Sequence, residues 1–159
     1  MKELAERVGR KLEAGKQMLV TAESCTGGWV AQVVTAVAGS SAWFERGFVT
    51  YSNDAKHELL GVPFEVLEKH GAVSEQTALE MARGALARSK GTISLAITGV
   101  AGPTGGSPDK PVGTVCFGWA RRGGEPLTQM RVFQGDRDAV RRQSVVHSLE
   151  KVLDLLDAG

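Results

Sequence analysis

Cysteine and histidine are scarce in this chain of 159 residues, and where they fall excludes several chemistries. Cys25 and Cys116 lie far apart, so they form no Cys-x-x-Cys metal or redox pair, and a disulfide framework is not expected. His57, His70 and His147 lack a spacing such as His-x-x-x-His, and no metal site is expected from them. A charge surplus is also missing: 19 basic against 18 acidic residues leave a formal net charge of +1. Non-specific nucleic-acid binding needs a basic excess to neutralise phosphates, so nucleic acid is not an expected partner. No apolar run approaches the ~20 residues of a membrane span. The opening Met1-Lys2-Glu3-Leu4-Ala5-Glu6-Arg7 is charged and reads as helix rather than signal peptide. The expectation is a cytoplasmic protein with reduced thiols and no membrane partner.

What is present is ordinary globular material, 42% hydrophobic and 23% charged. The length fits one domain over residues 1–159 that buries roughly 70% of its unfolded surface. Leu4, Val8 and Leu12 repeat every four residues and predict a helix ending near Gly15. Gln17 to Ala22 reads as a first strand, and the helix after Gly28 is expected to run to Gly39. Gly47 to Ser52 reads as a second strand, after which Asn53 caps a short helix through Leu60. A helical piece follows over 64–69, then Ser74 caps a helix over 75–90. Ile93 to Thr98 is wholly apolar apart from its small polar members, as in a strand covered on both faces. Gly99 to Gly113 is a glycine- and proline-rich loop, and Thr114–Ala120 with Leu127–Phe133 predicts a hairpin. Asp136 caps a long last helix. Strands alternating with helices, then a hairpin, indicate an α/β chain: a three-layer α/β/α sandwich around a mostly parallel, mixed sheet of about five strands.

Ligands in such sheets bind beyond the carboxyl ends of the strands. Three segments meet there. The first is Thr21-Ala-Glu-Ser-Cys-Thr-Gly-Gly28, a strand running into a helix through small residues. Such a turn exposes Ser24 as a nucleophile and aims N–H groups of Cys25, Thr26 and Gly27 at a developing oxyanion. Taken alone it reads equally as a helix cap followed by packing glycines. The second is Thr50-Tyr-Ser-Asn-Asp-Ala-Lys56, which brings Tyr51 and Lys56 to the same edge. A desolvated lysine near a serine can act as base at neutral pH. The Tyr-to-Lys spacing is five, and no Gly-x-Gly-x-x-Gly follows the first strand, so a short-chain dehydrogenase is excluded. The third is Thr98-Gly-Val-Ala-Gly-Pro-Thr-Gly-Gly106, where Gly99, Gly102 and Gly105 are spaced by three and let N–H groups close around an anion. It is not a Walker loop, because no Gly-Lys-Ser/Thr follows. Arg137 and Arg141, at the start of the last helix, supply planar forks suited to phosphate. Cys25 as a thiol nucleophile is the weaker enzymatic alternative, a small buried cysteine being the commoner outcome.

In order along the chain stand Thr-Ala-Glu-Ser-Cys-Thr-Gly-Gly, Ala-Gly-Ser-Ser-Ala-Trp-Phe, Gly-Phe-Val-Thr-Tyr-Ser-Asn-x-x-Lys, His-Gly-Ala-Val-Ser-Glu, Thr-Gly-x-Ala-Gly-Pro-x-Gly-Gly, Lys-Pro-Val-Gly-Thr-Val and Gly-Asp-Arg-x-x-Val-Arg. Together, over about residues 3–156, they resemble the CinA C-terminal domain family, and among its forms the stand-alone nicotinamide-nucleotide amidases. The resemblance implies hydrolysis of the carboxamide of nicotinamide mononucleotide to nicotinate mononucleotide and ammonia, without a cofactor, usually by a homo-oligomer. It also implies that Ser24 is the nucleophile, that Tyr51 and Lys56 activate it, and that Ser41, Thr98 and Arg137 bind substrate or support catalysis. A nucleotide-binding regulatory module with the same pocket and no turnover is the alternative from another class.

Overall fold

The computed structural model describes residues 1–158. Its sheet has five strands: β1 (Leu19–Glu23), β2 (Phe44–Val49), β3 (Ile93–Gly99), β4 (Thr114–Arg121) and β5 (Leu127–Val132). Their order is β2-β1-β3-β4-β5. The pairings of β1 with β2 and with β3 are parallel, and those of β4 with β3 and with β5 are antiparallel. Four strands therefore point one way and β4 alone is reversed.

Alternation along β3 separates the layers, because successive side chains leave a strand on opposite faces. Ile93, Leu95 and Ile97 join a core with Val8 and Leu12 of α1 (Lys2–Ala14), Val30 and Val34 of α2 (Trp29–Thr35), and Val145 and Leu149 of α6 (Arg137–Asp157). Ala96 joins a second core with Leu60 of α3 (Asn53–Leu60), Leu67 of α4 (Phe64–His70), and Met81, Ala82 and Ala85 of α5 (Glu75–Ala87). Burying each large aliphatic side chain stabilises the fold by about 1.5–3 kcal/mol. The second face carries small residues, and Ser94 there donates to the Ala82 carbonyl at 2.8 Å. Small residues let α5 approach closely. A Cβ on Gly118 would press on the Ala78 carbonyl, and one on Gly84 would overlap the Leu60 carbonyl at the end of α3. The result is the three-layer α/β/α sandwich expected from the sequence.

Several boundaries differ from the sequence expectation: β1 covers Leu19–Glu23 rather than 17–22, and α5 ends at Ala87 rather than 90. The second strand runs over Phe44–Val49 instead of 47–52, in register from Leu19↔Phe44 to Glu23↔Val49. It is an edge strand, which tolerates charge, and the pair Glu45 and Arg46 at its start disguises it. Its last ladder bond is Thr50 N–H to the Glu23 carbonyl at 2.9 Å. Ser52, rather than Asn53, then caps α3, its hydroxyl accepting from Ala55 N–H at 3.0 Å. Helix α2 stops at Thr35, short of Gly39. Gly39, at φ 83°, instead opens the short 3-10 turn Ser40–Ala42 that leads into β2.

β1, β2 and β3 all end at one edge. Because β5 shares their direction, the chain leaving it through Gln134, Gly135 and Asp136 starts α6 at that edge too. Asp136 caps α6 by accepting from Ala139 N–H at 2.9 Å.

Candidate active site

Lys56 is the centre of this edge. It lies in the first turn of α3, and a helical side chain leans back towards the N-terminus, which aims its amine into the sheet edge. The residue is 1% exposed. Its Nζ is 3.1 Å from Ser24 Oγ, 3.1 Å from the Thr50 carbonyl oxygen and 3.1 Å from the Tyr51 carbonyl oxygen. Burial holds the Lys56 amine below the ordinary lysine range, and Cys25 opposes this more weakly. Ser24 follows β1 directly, fixed by its own N–H donating to the Ile97 carbonyl at 3.0 Å. Its hydroxyl also has the Tyr51 carbonyl at 3.4 Å. Tyr51 thus enters the site through its main chain. Its side chain is 64% exposed, and its hydroxyl has no partner among the described residues.

The turn after Ser24 is organised by Glu23, which the sequence reading did not single out. Its carboxylate, wholly buried, accepts from Thr26 Oγ1 at 2.7 Å, Val30 N–H at 2.9 Å and Ala31 N–H at 3.1 Å. These are donors that a helix leaves unsatisfied at its start. The N-terminus of α2 is therefore occupied by the protein's own anion and does not point free N–H groups at the site. Gly27 N–H is also engaged, by the Ser24 carbonyl at 3.0 Å. The N–H groups of Cys25 and Thr26 meet no acceptor among the described residues. The signal for Glu23 was an acid at a strand end, three residues before a threonine and just ahead of a helix.

A cavity of about 240 Å³ opens over the pair, lined by Ser24, Cys25, Tyr51, Lys56, Thr98 and Gly99. Ala72, Val73, Ala101 and Arg137 complete it. Thr98 Oγ1 donates to the Ala72 carbonyl at 2.8 Å and so ties the 72–73 wall to the end of β3. Ala72 and Val73 were missed as site residues, because their apolar side chains carry no chemistry; their place in the His70-to-Glu75 motif was the signal. Arg137 donates to the Gly102 carbonyl at 2.8 Å. It also lines an adjoining groove of about 510 Å³, together with Pro103, Val112 and Asp138.

The remaining candidates lie elsewhere. Arg141 donates to the Cys25 carbonyl at 3.0 Å and the Thr26 carbonyl at 3.1 Å, bracing the turn that follows Ser24. Its guanidinium sits 5.3 Å from the Trp29 ring centre. Gly105 has φ 96° in the loop but does not line the cavity. Ser41 stands on the turn before β2, at the amino end of the sheet, and is not brought to this cavity. Burial pushes the Cys25 thiol up to about 11, which disfavours the reactive thiolate and weakens the thiol alternative. Among the described residues no three His, Cys, Asp or Glu cluster to hold a metal ion.

The family model described as the CinA C-terminal domain matches residues 1–156. The chain belongs to this family. As a CinA C-terminal domain it is 56% identical, over 148 residues, to the nicotinamide-nucleotide amidohydrolase PncC of Escherichia coli K12, covering 93% of this chain and 90% of that protein. The crystal structure of the competence/damage inducible protein CihA from Agrobacterium tumefaciens superposes with a TM-score of 0.93 at 48% identity, over 98% of this chain and 94% of that one. A CinA superfamily protein from Klebsiella pneumoniae superposes with a TM-score of 0.95 at 42% identity, over 99% and 98% of the two chains.

Proposed function

We propose that this CinA-type domain hydrolyses the carboxamide of nicotinamide mononucleotide to nicotinate mononucleotide and ammonia through a serine ester. The observation that carries the mechanism is the set of neighbours around Lys56 Nζ: one hydroxyl and two carbonyl oxygens, each at 3.1 Å. Carbonyls only accept. A neutral amine satisfies both with its two N–H groups and turns its lone pair to the remaining neighbour, the Ser24 hydroxyl. The amine is then already placed to take the serine proton, and burial favours the neutral form this requires.

Ser24 Oγ attacks the carboxamide carbon as Lys56 takes its proton. Cys25, which lines the cavity, offers its unengaged N–H to the developing oxyanion. Lys56 returns the proton to the leaving nitrogen, the C–N bond breaks and ammonia departs. A water molecule, deprotonated by Lys56, then attacks the ester carbon and releases the carboxylate and free Ser24. Arg137, between cavity and groove, receives the phosphate, exchanging its bond to the Gly102 carbonyl for a charge-assisted one. The names of close relatives support the substrate; the site supports the chemistry. A cytoplasmic homo-oligomer belongs to the same reading, through the family resemblance. No described helix is long and apolar enough to cross a membrane.

Stoichiometric ammonia release from nicotinamide mononucleotide by the purified chain is the expected result. Binding of the nucleotide without ammonia would favour the regulatory module instead.

A further inference from the structure

The electrostatics of the cavity leave one element unused. A nicotinamide ring joined to ribose is a pyridinium and carries positive charge. The titratable side chains lining the cavity besides Cys25 and Tyr51 are Lys56 and Arg137, with no carboxylate. Glu23, the acid beside the nucleophile in sequence, is wholly buried and held by its three donors. The Thr50 and Tyr51 carbonyls are taken by Lys56. What remains to receive a cationic ring is the π face of Tyr51. That residue lines the cavity, and its backbone is pinned there by the bond from Lys56. Its side chain is 64% exposed, paired with no other ring and, among the described residues, with no hydrogen-bond partner for its hydroxyl.

We propose that Tyr51 is a specificity residue whose ring covers the positively charged heterocycle of the substrate at the cavity mouth, rather than a carrier of the serine proton. The phenol stands outside the contact between Ser24 and Lys56, which is direct at 3.1 Å and requires no relay. An aromatic face over a ligand cation discriminates by charge, where the apolar wall of Ala72 and Val73 discriminates by shape alone. The inference rests on the amidase reading above and adds the feature of the substrate that this residue reads.

The test uses the full chain, with nicotinamide mononucleotide as substrate and its dihydro form, in which the ring nitrogen is uncharged, as competitive inhibitor. Tyr51→Leu is expected to raise the Michaelis constant for the pyridinium by about two- to thirtyfold while changing kcat less. Its inhibition constant for the neutral dihydro form should move by a clearly smaller factor. Tyr51→Phe, which keeps the ring face, should restore the discrimination that leucine loses. Equal losses for charged and neutral rings would overturn the proposal. So would a Tyr51→Phe enzyme whose kcat falls by orders of magnitude, because the hydroxyl would then matter. Native turnover combined with either result removes the proposal alone; no ammonia release by the native chain removes the amidase reading with it.

Discussion

Replacing Glu23 by alanine strands three donors at once. The Thr26 hydroxyl and Val30 N–H are buried at their bonds to the carboxylate, and Ala31 N–H is partly buried. A buried donor left without an acceptor costs about 1–3 kcal/mol, so the two buried ones together cost about 2–6 kcal/mol. Loss of the negative charge at the start of α2 adds about 0.3–1 kcal/mol. Against a total stability of roughly 5–15 kcal/mol for a domain, Glu23→Ala should unfold well before the native protein. Glu23→Gln keeps one carbonyl oxygen but turns an amide donor towards donors, and it should fall between the two. Urea unfolding at 25 °C measures the loss, with the slope checked for constancy so that the midpoint reports stability. Ammonia release below the transition shows whether the surviving folded fraction still positions Ser24. A Glu23→Ala protein within about 1 kcal/mol of native would refute the argument, and would mean that water or a rearranged α2 satisfies those donors.

Ser24→Ala should abolish ammonia release, by several orders of magnitude, with the unfolding midpoint little changed, whereas Cys25→Ser should keep most activity; the reverse pattern would revive the thiol. Lys56→Met should lower kcat by about 10²–10⁴-fold, and native kcat should rise with pH through a single ionisation lying below the ordinary lysine value. The same group links pH to stability. Between its lowered folded pKa and its unfolded value the unfolded chain binds more protons, so native stability should climb with pH across that window and Lys56→Met should flatten the climb in urea titrations. Arg137→Ala should raise the Michaelis constant for the nucleotide far more than for the nucleoside lacking phosphate, and equal effects on both would show that Arg137 does not meet the phosphate.

Legibility from sequence followed the physics of each element. The apolar run of β3, the capping serine of α5 and the small-residue turn at Ser24 are local signals, and each stands where the sequence put it. The juxtaposition of Ser24 with Lys56 was readable from chain order, because both follow the carboxyl ends of parallel strands. Ser41, offered only by the family resemblance, precedes β2, and residues before and after a strand occupy opposite edges of the sheet. Between Arg137 and Arg141 chain order favoured Arg137, in the first turn of the last helix and nearest the sheet edge, without deciding the matter. The packing of α6 against the turn after Ser24 separates them, sending Arg141 to the Cys25 and Thr26 carbonyls and Arg137 to the Gly102 carbonyl. The part of Tyr51 that touches Lys56 is a main-chain carbonyl, which every residue type possesses and no motif can report.

The absent side chain at Gly84 works as a depth stop in the helix layer that also carries Lys56. Leu60, whose carbonyl fills that space, closes the helix that carries Lys56 one turn earlier. Helix α3 is rigid over so short a span, so the seat of its last residue against α5 also fixes how far the amine reaches towards Ser24. Proton transfer tolerates only small changes in donor–acceptor separation, and a methyl group at 84 would be transmitted along α3 as a displacement of its whole axis. Lesions there would read in an assay as damage at Ser24 and Lys56, although residue 84 does not line the cavity. The separation of Lys56 from Ser24 thus depends on how α3 seats against α5, and substitutions that disturb that seat should be felt at the cavity.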